Sequence, residues 1–434
     1  MGQKNSTYLD LAWERFNPLV PIPAEDSHDW YVNLDAVRGP DALVLQVVRR
    51  ISRGTESSSR VLVLGHKGAG KSTELQRIRR ALEHDGFRCA VVQVDHDLDT
   101  QDVDIVEVQV LLVDEVSKVL QEQKLEPSRS LLSRLRGWFV EEVVETTQSS
   151  SASAELGFGE LLKSLLPNLK AELKVNVERR RILREKVSRN LREFVDVVSE
   201  LVGEAKGLLQ QHDFKGLVLI VDGMEKADAS IDGLDRVRKI LFDQSEQWGR
   251  LPAPLIISAP LELFTESDRI ENHFDQFFLI PSVPVAARPD HPHANQEYVV
   301  TGRRLLREVV SKRLNIDQAF ASPADLDRLI DQSGGSLRDL FRLIRGAIDV
   351  SPPEGPISTN AVTQALRSNR VKRALSVQPQ DIEPLRSLLQ DPELLHYDAT
   401  GIRLLHTELA LHYVNGGSWF GVHPAVLERV KVKG

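Results

Sequence analysis

The residues best suited to chemistry are Gly65-His66-Lys67-Gly68-Ala69-Gly70-Lys71-Ser72, with Thr73 behind them, because they fit the spacing G-x-x-x-x-G-K-[ST]. Glycines at this spacing let a backbone turn with its N–H groups pointing inward, and a helix that follows opens with unpaired N–H groups and the positive end of its dipole. Such a cradle suits a triphosphate. Lys71 then reaches the β- and γ-phosphates, and the Ser72 hydroxyl joins the shell of a Mg²⁺ ion. The context that the motif requires is present. An apolar, β-branched run, Arg60-Val61-Leu62-Val63-Leu64, precedes it, and Thr73 to Leu82, with Leu75, Ile78, Ala81 and Leu82 as its apolar residues, follows.

A second stretch completes the chemistry. Leu217-Val218-Leu219-Ile220-Val221 is the most apolar run of the chain and ends in Asp222-Gly223-Met224-Glu225-Lys226. A buried strand that ends in a carboxylate presents it at the edge where open α/β sheets bind ligands. Asp222 is therefore expected to hold Mg²⁺ opposite Ser72, and Glu225, the nearest further acid, to orient or deprotonate the attacking water. Pro254 to Pro260 forms another apolar run, and its Ser258 hydroxyl is expected at the same edge, sensing the γ-phosphate or placing water. Further on, Ser336 can cap a helix that starts near Arg338. That arginine has two readings: a swing toward the γ-phosphate, or a surface ion pair with a neighbouring acid.

These residues must be positioned by a sheet. Five apolar runs, near 60–64, 87–94, 217–221, 254–260 and 277–281, are separated by helical segments, which predicts an α/β fold with a doubly wound parallel sheet. Residues 1–38, with Pro18, Pro21 and Pro23 among Trp13, Phe16, Trp30 and Tyr31, read as an ordered lead-in. Residues 39–285 read as the nucleotide-binding core, 286–351 as a helical lid, and 352–434 as a small winged-helix-like module with a hairpin about Asn415-Gly416-Gly417. The helix from Asp41 to Ile51 is expected to flank the base.

Residues 125–212 are an insertion. Leu183, Val187, Leu191, Phe194, Val198, Leu201 and Ala205 share one face of a long helix, whose start carries Arg179, Arg180, Arg181, Arg184, Lys186 and Arg189. The basic start is either a solvated face or a contact surface for a partner or for nucleic-acid phosphates. Residues 146–153 are a Ser/Thr-rich break. Upstream, Asp95, Asp97, Asp99, Asp102 and Asp104 lack the central glycine of a Ca²⁺ loop, and Val106 stands where such a loop needs Glu, so a solvated loop is expected.

Composition sets outer limits. At 434 residues, with 41% hydrophobic and 27% charged residues, the chain can build several soluble domains. The single cysteine, Cys89, lies in an apolar run and excludes a disulfide framework. His406, His412 and His423 lack a metal spacing and read as structural. No apolar run approaches the roughly 18 residues of a membrane helix, and a cytoplasmic protein is expected. The net charge of −8 gives no global support for nucleic-acid binding, which needs a local basic patch.

Taken together, the phosphate loop, Asp222, Ser258 and Ser333-Gly334-Gly335-Ser336-Leu337-Arg338-Asp339-Leu340 resemble the AAA+/STAND branch of P-loop ATPases over about residues 35–350. The resemblance is closest to the prokaryotic ATPases related to origin-recognition and STAND proteins. It implies that Lys71 binds phosphate, Ser72 and Asp222 the metal, and that Ser258 and Arg338 are the two sensors. ATP and Mg²⁺ are the implied cofactors, with low-turnover ATP hydrolysis. The implied role is a switch that governs self-association or a protein partner, of the kind found in bacterial conflict and antiphage systems. The alternative is a DNA-engaged ATPase that reads nucleic acid with Arg367, Arg370, Lys372 and Arg373. Two departures stand out. Many members carry two adjacent acids where this chain has Asp222-Gly223, although an Asp-Gly-x-acid order resembles the STAND form. The usual arginine-finger context is here His273-Phe274, with Arg269 the nearest arginine.

Overall fold

The sheet grows outward from β1 (Arg60–Gly65), every residue of which after Arg60 is buried. It pairs in parallel with β4 (Leu255–Pro260) on one side and with β5 (Gln276–Ile280) on the other. β3 (Gly216–Asp222) joins β4, and β2 (Phe87–Gln93) joins β3, so the five parallel strands run in the order β2-β3-β4-β1-β5. This is the α/β sheet expected from the five apolar runs. β1 has neighbours that come later in the chain on both sides, and the crevice at its carboxyl end is where such sheets receive ligands.

Successive strand residues face opposite ways, so a run that is apolar at every position is buried on both faces. Leu62 and Leu64 pack with the helices Ile105–Glu122 and Leu191–Gln211. Val61 and Val63 pack with Leu75, Ile78 and Leu82 of the helix Lys71–His84 and with Val47 and Ile51 of the helix Leu43–Arg53.

The computed structural model describes residues 8–20, 22, 27–39, 43–53, 59–143, 166–226, 231–291, 296–352, 355–393, 395–396, 398–415 and 417–431. The Ser/Thr-rich break at 146–153 lies outside them. No helix among the described residues is long and apolar enough to cross a membrane.

The insertion differs from its expected form in two ways. The single long helix is two, Val177–Arg189 and Leu191–Gln211, broken at Asn190, whose ψ of 37° leaves the helical range. Asn competes for backbone hydrogen bonds and favours helix ends, and here it serves as the end of one helix and the start of the next. Leu183, Val187, Phe194, Val198, Leu201 and Ala205 still reach one core, whereas Leu191, beside the break, is exposed.

The acidic and basic runs, read apart in the sequence, also meet. Arg180 donates to Asp99 at 3.1 Å, Arg184 to Glu107 at 2.6 Å and to Asp102 at 3.0 Å, and Lys170 lies 2.8 Å from Asp97. Asp104 and Glu107 form a capping box on the helix Ile105–Glu122. Asp97, Asp99 and Asp102 are thus fixed by cations of the insertion rather than left in a solvated loop, and Asp97 is buried.

Four helices, Gln296–Ser311, Pro323–Gln332, Leu337–Asp349 and Thr359–Ser376, enclose a separate core. The lead-in packs there, through Leu9, Ala12, Phe16, Val32, Leu34 and Val37. Ser336 caps the helix Leu337–Asp349 by accepting from Asp339 N–H at 3.3 Å.

Beyond these helices lies an antiparallel hairpin of β6 (Ala410–Tyr413) and β7 (Trp419–Val422), followed by the short helix Leu427–Lys431. Leu385, Leu388, Leu404, Leu405, Phe420 and Val426 around it join the sheet's own core cluster. The Tyr413 hydroxyl donates to Gly334 O at 2.6 Å, and Asp339 accepts from Arg373 and from the His423 ring at 2.9 Å. Burial opposes ionisation of Asp339, yet the His423 hydrogen bond and the Arg373 charge hold its carboxyl well below the usual range. Arg373 also reaches Glu408 at 2.8 Å, and Arg370 pairs with Glu428 at 3.2 Å. Two of the four cations at 367–373 are therefore committed to ion pairs within the chain.

Candidate functional site

β1 runs out at Gly65, and the loop that follows uses Gly68 where a side chain has no room and both Gly68 and Gly70 where the backbone turns left-handed. Gly68 and Gly70 have φ of +81° and +97°, the left-handed region that other residues rarely enter. Ala69 N–H closes a turn on His66 O at 3.1 Å, and Glu74 N–H bonds Gly70 O at 3.0 Å as the helix begins. Lys71 curls back over the loop, donating to Gly65 O at 2.7 Å and His66 O at 2.9 Å, and is only 2% exposed.

The loop is braced by a group that the sequence did not single out. Arg38 of the lead-in donates to Ala69 O at 2.7 Å and approaches Glu74 at 3.5 Å. Glu74 also accepts from Arg77 at 2.6 Å, and Arg77 pairs with Asp35 at 3.1 Å. Burial lowers the pKa of Arg38, and the charge on Glu74 works against that. No spacing rule ties residue 38 to a loop some thirty residues later; the fold alone brings it there.

Gly68, Gly70, Lys71, Ser72 and Thr73 form one wall of a cleft. Its other walls are Trp30, Tyr31, Val32 and Leu34 of the lead-in, Val309, Leu337, Arg338 and Phe341 of the lid, and Lys226. Phosphate-binding groups at one end and aromatic and aliphatic groups at the other suit a ligand with a polyphosphate and a flat apolar ring. The helix Leu43–Arg53, expected to flank the base, is not among the residues lining this cleft; it turns its apolar side to β1 and the helix Lys71–His84, and the lead-in lines the cleft.

Arg338 lies against the phosphate loop. Its side chain lies across the phosphate loop, and a Cβ placed on Gly68 would stand 2.6 Å from Arg338 Nε. Asp222, at the end of β3, is buried, and its Oδ1 accepts from Ser258 Oγ at 2.8 Å. Ser258 in turn accepts from Gly223 N–H at 3.0 Å. The β4 hydroxyl is thus fully buried and orients Asp222, and it is not among the residues lining the cleft. The Glu225 backbone lies in the short turn Met224–Lys226, and its side chain is outside the described residues. Ser72 and Asp222 are hard oxygen donors, the chemistry that Mg²⁺ takes with one or two carboxylates and substrate phosphates.

Two loop residues face elsewhere. Lys67 lines a groove against the lid helix with Arg342, Arg345 and Lys372. His66 is buried and accepts through Nε2 from His412 N–H of β6 at 3.2 Å. The three terminal histidines are each hydrogen-bonded: His406 to Glu262 at 2.8 Å, His412 to Ser418 at 2.8 Å and His423 to Asp339.

Burial pushes the His412 pKa down to about 3, with the nearby His66 a smaller push the same way, and burial also lowers His66 and His423. The unfolded chain takes up these protons as pH falls below 6.5, whereas folded His412 resists down to about 3. Stability from His412 is therefore complete above pH 6.5 and is lost as pH falls toward 3, at up to about 1.4 kcal/mol per pH unit. His412→Phe is expected to flatten the fall of the thermal midpoint between pH 6.5 and 4.5. An unchanged slope would mean that His412 is not among the groups responsible.

Residues 41–213 match the family described as dynein light intermediate chain (DLIC). A protein DOP1 homolog of Drosophila melanogaster is 25% identical over 146 residues, which is 34% of this chain and 5% of that protein. The chain thus spans about a twentieth of the length of this curated relative. Among solved structures, the Walker-type ATPase PABY2304 of Pyrococcus abyssi is similar at a TM-score of 0.40 and 13% identity, covering 93% of this chain and 100% of that one. Cdc6p from Pyrobaculum aerophilum is similar at a TM-score of 0.37 and 12% identity, covering 92% and 97%. The strand, loop and helix of residues 60–84, the β3 carboxylate and the strand order together make this a nucleotide-binding, P-loop ATPase-like fold.

Proposed function

We propose that the protein is a Mg²⁺-ATP-dependent switch that hydrolyses ATP slowly and couples nucleotide state to self-association or to a protein partner. The observation that carries this is the contact of Arg338 with Gly68: the first turn of the lid helix reaches the phosphate loop. A γ-phosphate in the loop meets a lid cation, and ADP lacks that contact. ATP and ADP then differ in their affinity for the closed lid, which is what a two-state switch requires.

Each residue has a task in this reading. The Lys71 ammonium exchanges its two loop carbonyls for phosphate oxygens, and Ser72 and Asp222 would hold Mg²⁺, which would neutralise charge on the phosphates. Ser258 keeps the Asp222 carboxylate oriented. Arg338 stabilises charge that builds up as the γ-phosphoryl group transfers. The reading also requires a carboxylate at the sheet edge to take a proton from the attacking water.

Nucleic acid is the weaker reading, because the half-buried Arg373 is paired with Asp339 and Glu408 and Arg370 is paired with Glu428. The test is Mg²⁺-dependent phosphate release together with light scattering in ATP and in ADP. Release above that of Lys71→Ala, with a nucleotide-dependent change in mass or in partner capture, is the expected result. Equal mass and equal capture in both nucleotides would end the switch reading.

A further inference from the structure

The proposed ATPase needs a carboxylate for the attacking water, and the end of β2 carries one. We propose that Asp95, rather than Glu225, orients and deprotonates that water, and that Lys226 holds it in reserve until a triphosphate enters. This rests on the ATPase reading above.

β2 runs beside β3 with Gln93 opposite Asp222. The next residue opens the short helix Val94–Asp97, and Asp95, two residues after Gln93, presses against the exit of β3. A Cβ built on Gly223 would lie 2.5 Å from Asp95 Oδ1 and 3.0 Å from Asp95 N, and Gly223 has a φ of +94°. Residue 223 therefore has neither the room nor the backbone conformation for a side chain, and a second acid cannot follow Asp222 directly. The space into which that acid would grow is held by the Asp95 carboxylate. The glycine that departs from the usual pair of acids is thus the mark of a carboxylate arriving from the neighbouring strand.

Lys226 links Asp95 to the cleft. Its ammonium pairs with Asp95, while the same residue lines the cleft with Lys71 and Ser72. A polyphosphate in the loop competes for that ammonium, and its transfer to phosphate releases Asp95 toward the γ-phosphate side. In the step itself, the water oxygen bonds to the γ-phosphorus as one water proton passes to Asp95. The bond from the γ-phosphorus to the β–γ bridging oxygen breaks, and its electron pair leaves on ADP. Asp95 later returns the proton to solvent.

The test compares wild type, Asp95→Asn, Glu225→Gln and Lys71→Ala for binding of a fluorescent ATP analogue and for steady-state phosphate release. Asp95→Asn is expected to bind the analogue within about threefold of wild type but to turn over roughly a hundredfold more slowly, the usual range for loss of a general base. Glu225→Gln is expected to stay within about threefold on both counts. If Asp95→Asn does not fold because Lys226 is left unpaired, the double variant Asp95→Asn/Lys226→Met removes both charges, and the same loss of rate is expected of it. Turnover near wild type in the folded asparagine variant, with loss in Glu225→Gln, overturns the assignment and leaves the ATPase reading standing. No release by wild type above Lys71→Ala overturns the ATPase reading itself, and this assignment with it.

Discussion

Gly335→Ala is expected to destabilise the protein by about 2–5 kcal/mol, a large part of the stability of an ordinary domain. Gly335 has a φ of +77°, and a Cβ there would collide with the carbonyl oxygen of Val283 and come within 2.7 Å of its carbon. The left-handed backbone alone costs an alanine roughly 1–2 kcal/mol, and forcing apart packed backbone adds about 1–3 kcal/mol. The strain falls on a junction, because Val283 N–H donates to Gly335 O at 3.1 Å, and the Tyr413 hydroxyl donates to the neighbouring Gly334 O. The chain leaving β5, the lid and the hairpin are fastened at this point. Gly355→Ala is the control: its φ is +141°, but nothing lies within 4 Å of a Cβ there. A thermal midpoint for Gly335→Ala equal to that of Gly355→Ala would show that the junction yields without cost.

Lys71→Ala is expected to weaken ATP binding at least about a hundredfold. Hydrogen bonds to charged groups contribute roughly 1.5–3 kcal/mol each, and the ammonium is placed to make two with phosphate oxygens in place of its present bonds to Gly65 O and His66 O. Wild type is also expected to gain about 2.7 kcal/mol of stability at an ATP concentration of roughly 100 times Kd, which the variant should not show. Titration of a fluorescent analogue and thermal melts with and without ATP check both. An affinity within threefold of wild type would remove Lys71 from the phosphate site.

Much of the nucleotide end was legible because its signals are local. The glycine spacing, the β-branched run before it and the apolar strand ending in Asp222 each lie within a few consecutive residues, and each corresponds to one turn, strand or strand end. Arg338 could be named but not placed, because its two readings differ only in what lies across from it. Arg38 was missed for the same reason. So was the meeting of Arg184 with Glu107, 77 residues apart, since spacing along a chain carries no information about ion pairs that only tertiary folding creates. The break at Asn190 was missed because the apolar period continues across it: Leu183 and Val187 before it and Phe194 and Val198 after it reach the same core. Periodicity reports which residues are buried, not whether the helix between them is unbroken.

The hydrogen bond from His412 N–H to the His66 ring spans 346 residues, and β6 is held to the chain leaving β5 by Ser282 N–H on His412 O at 2.8 Å. During synthesis, the phosphate loop leaves the ribosome long before the strand that fastens it. At ribosomal speeds of about 5–20 residues per second, that interval is roughly 20–70 s. Throughout it the loop is translated but lacks one of its fixed contacts, so the nascent chain passes through a period in which the sheet can form while its ligand-binding end is still unfastened.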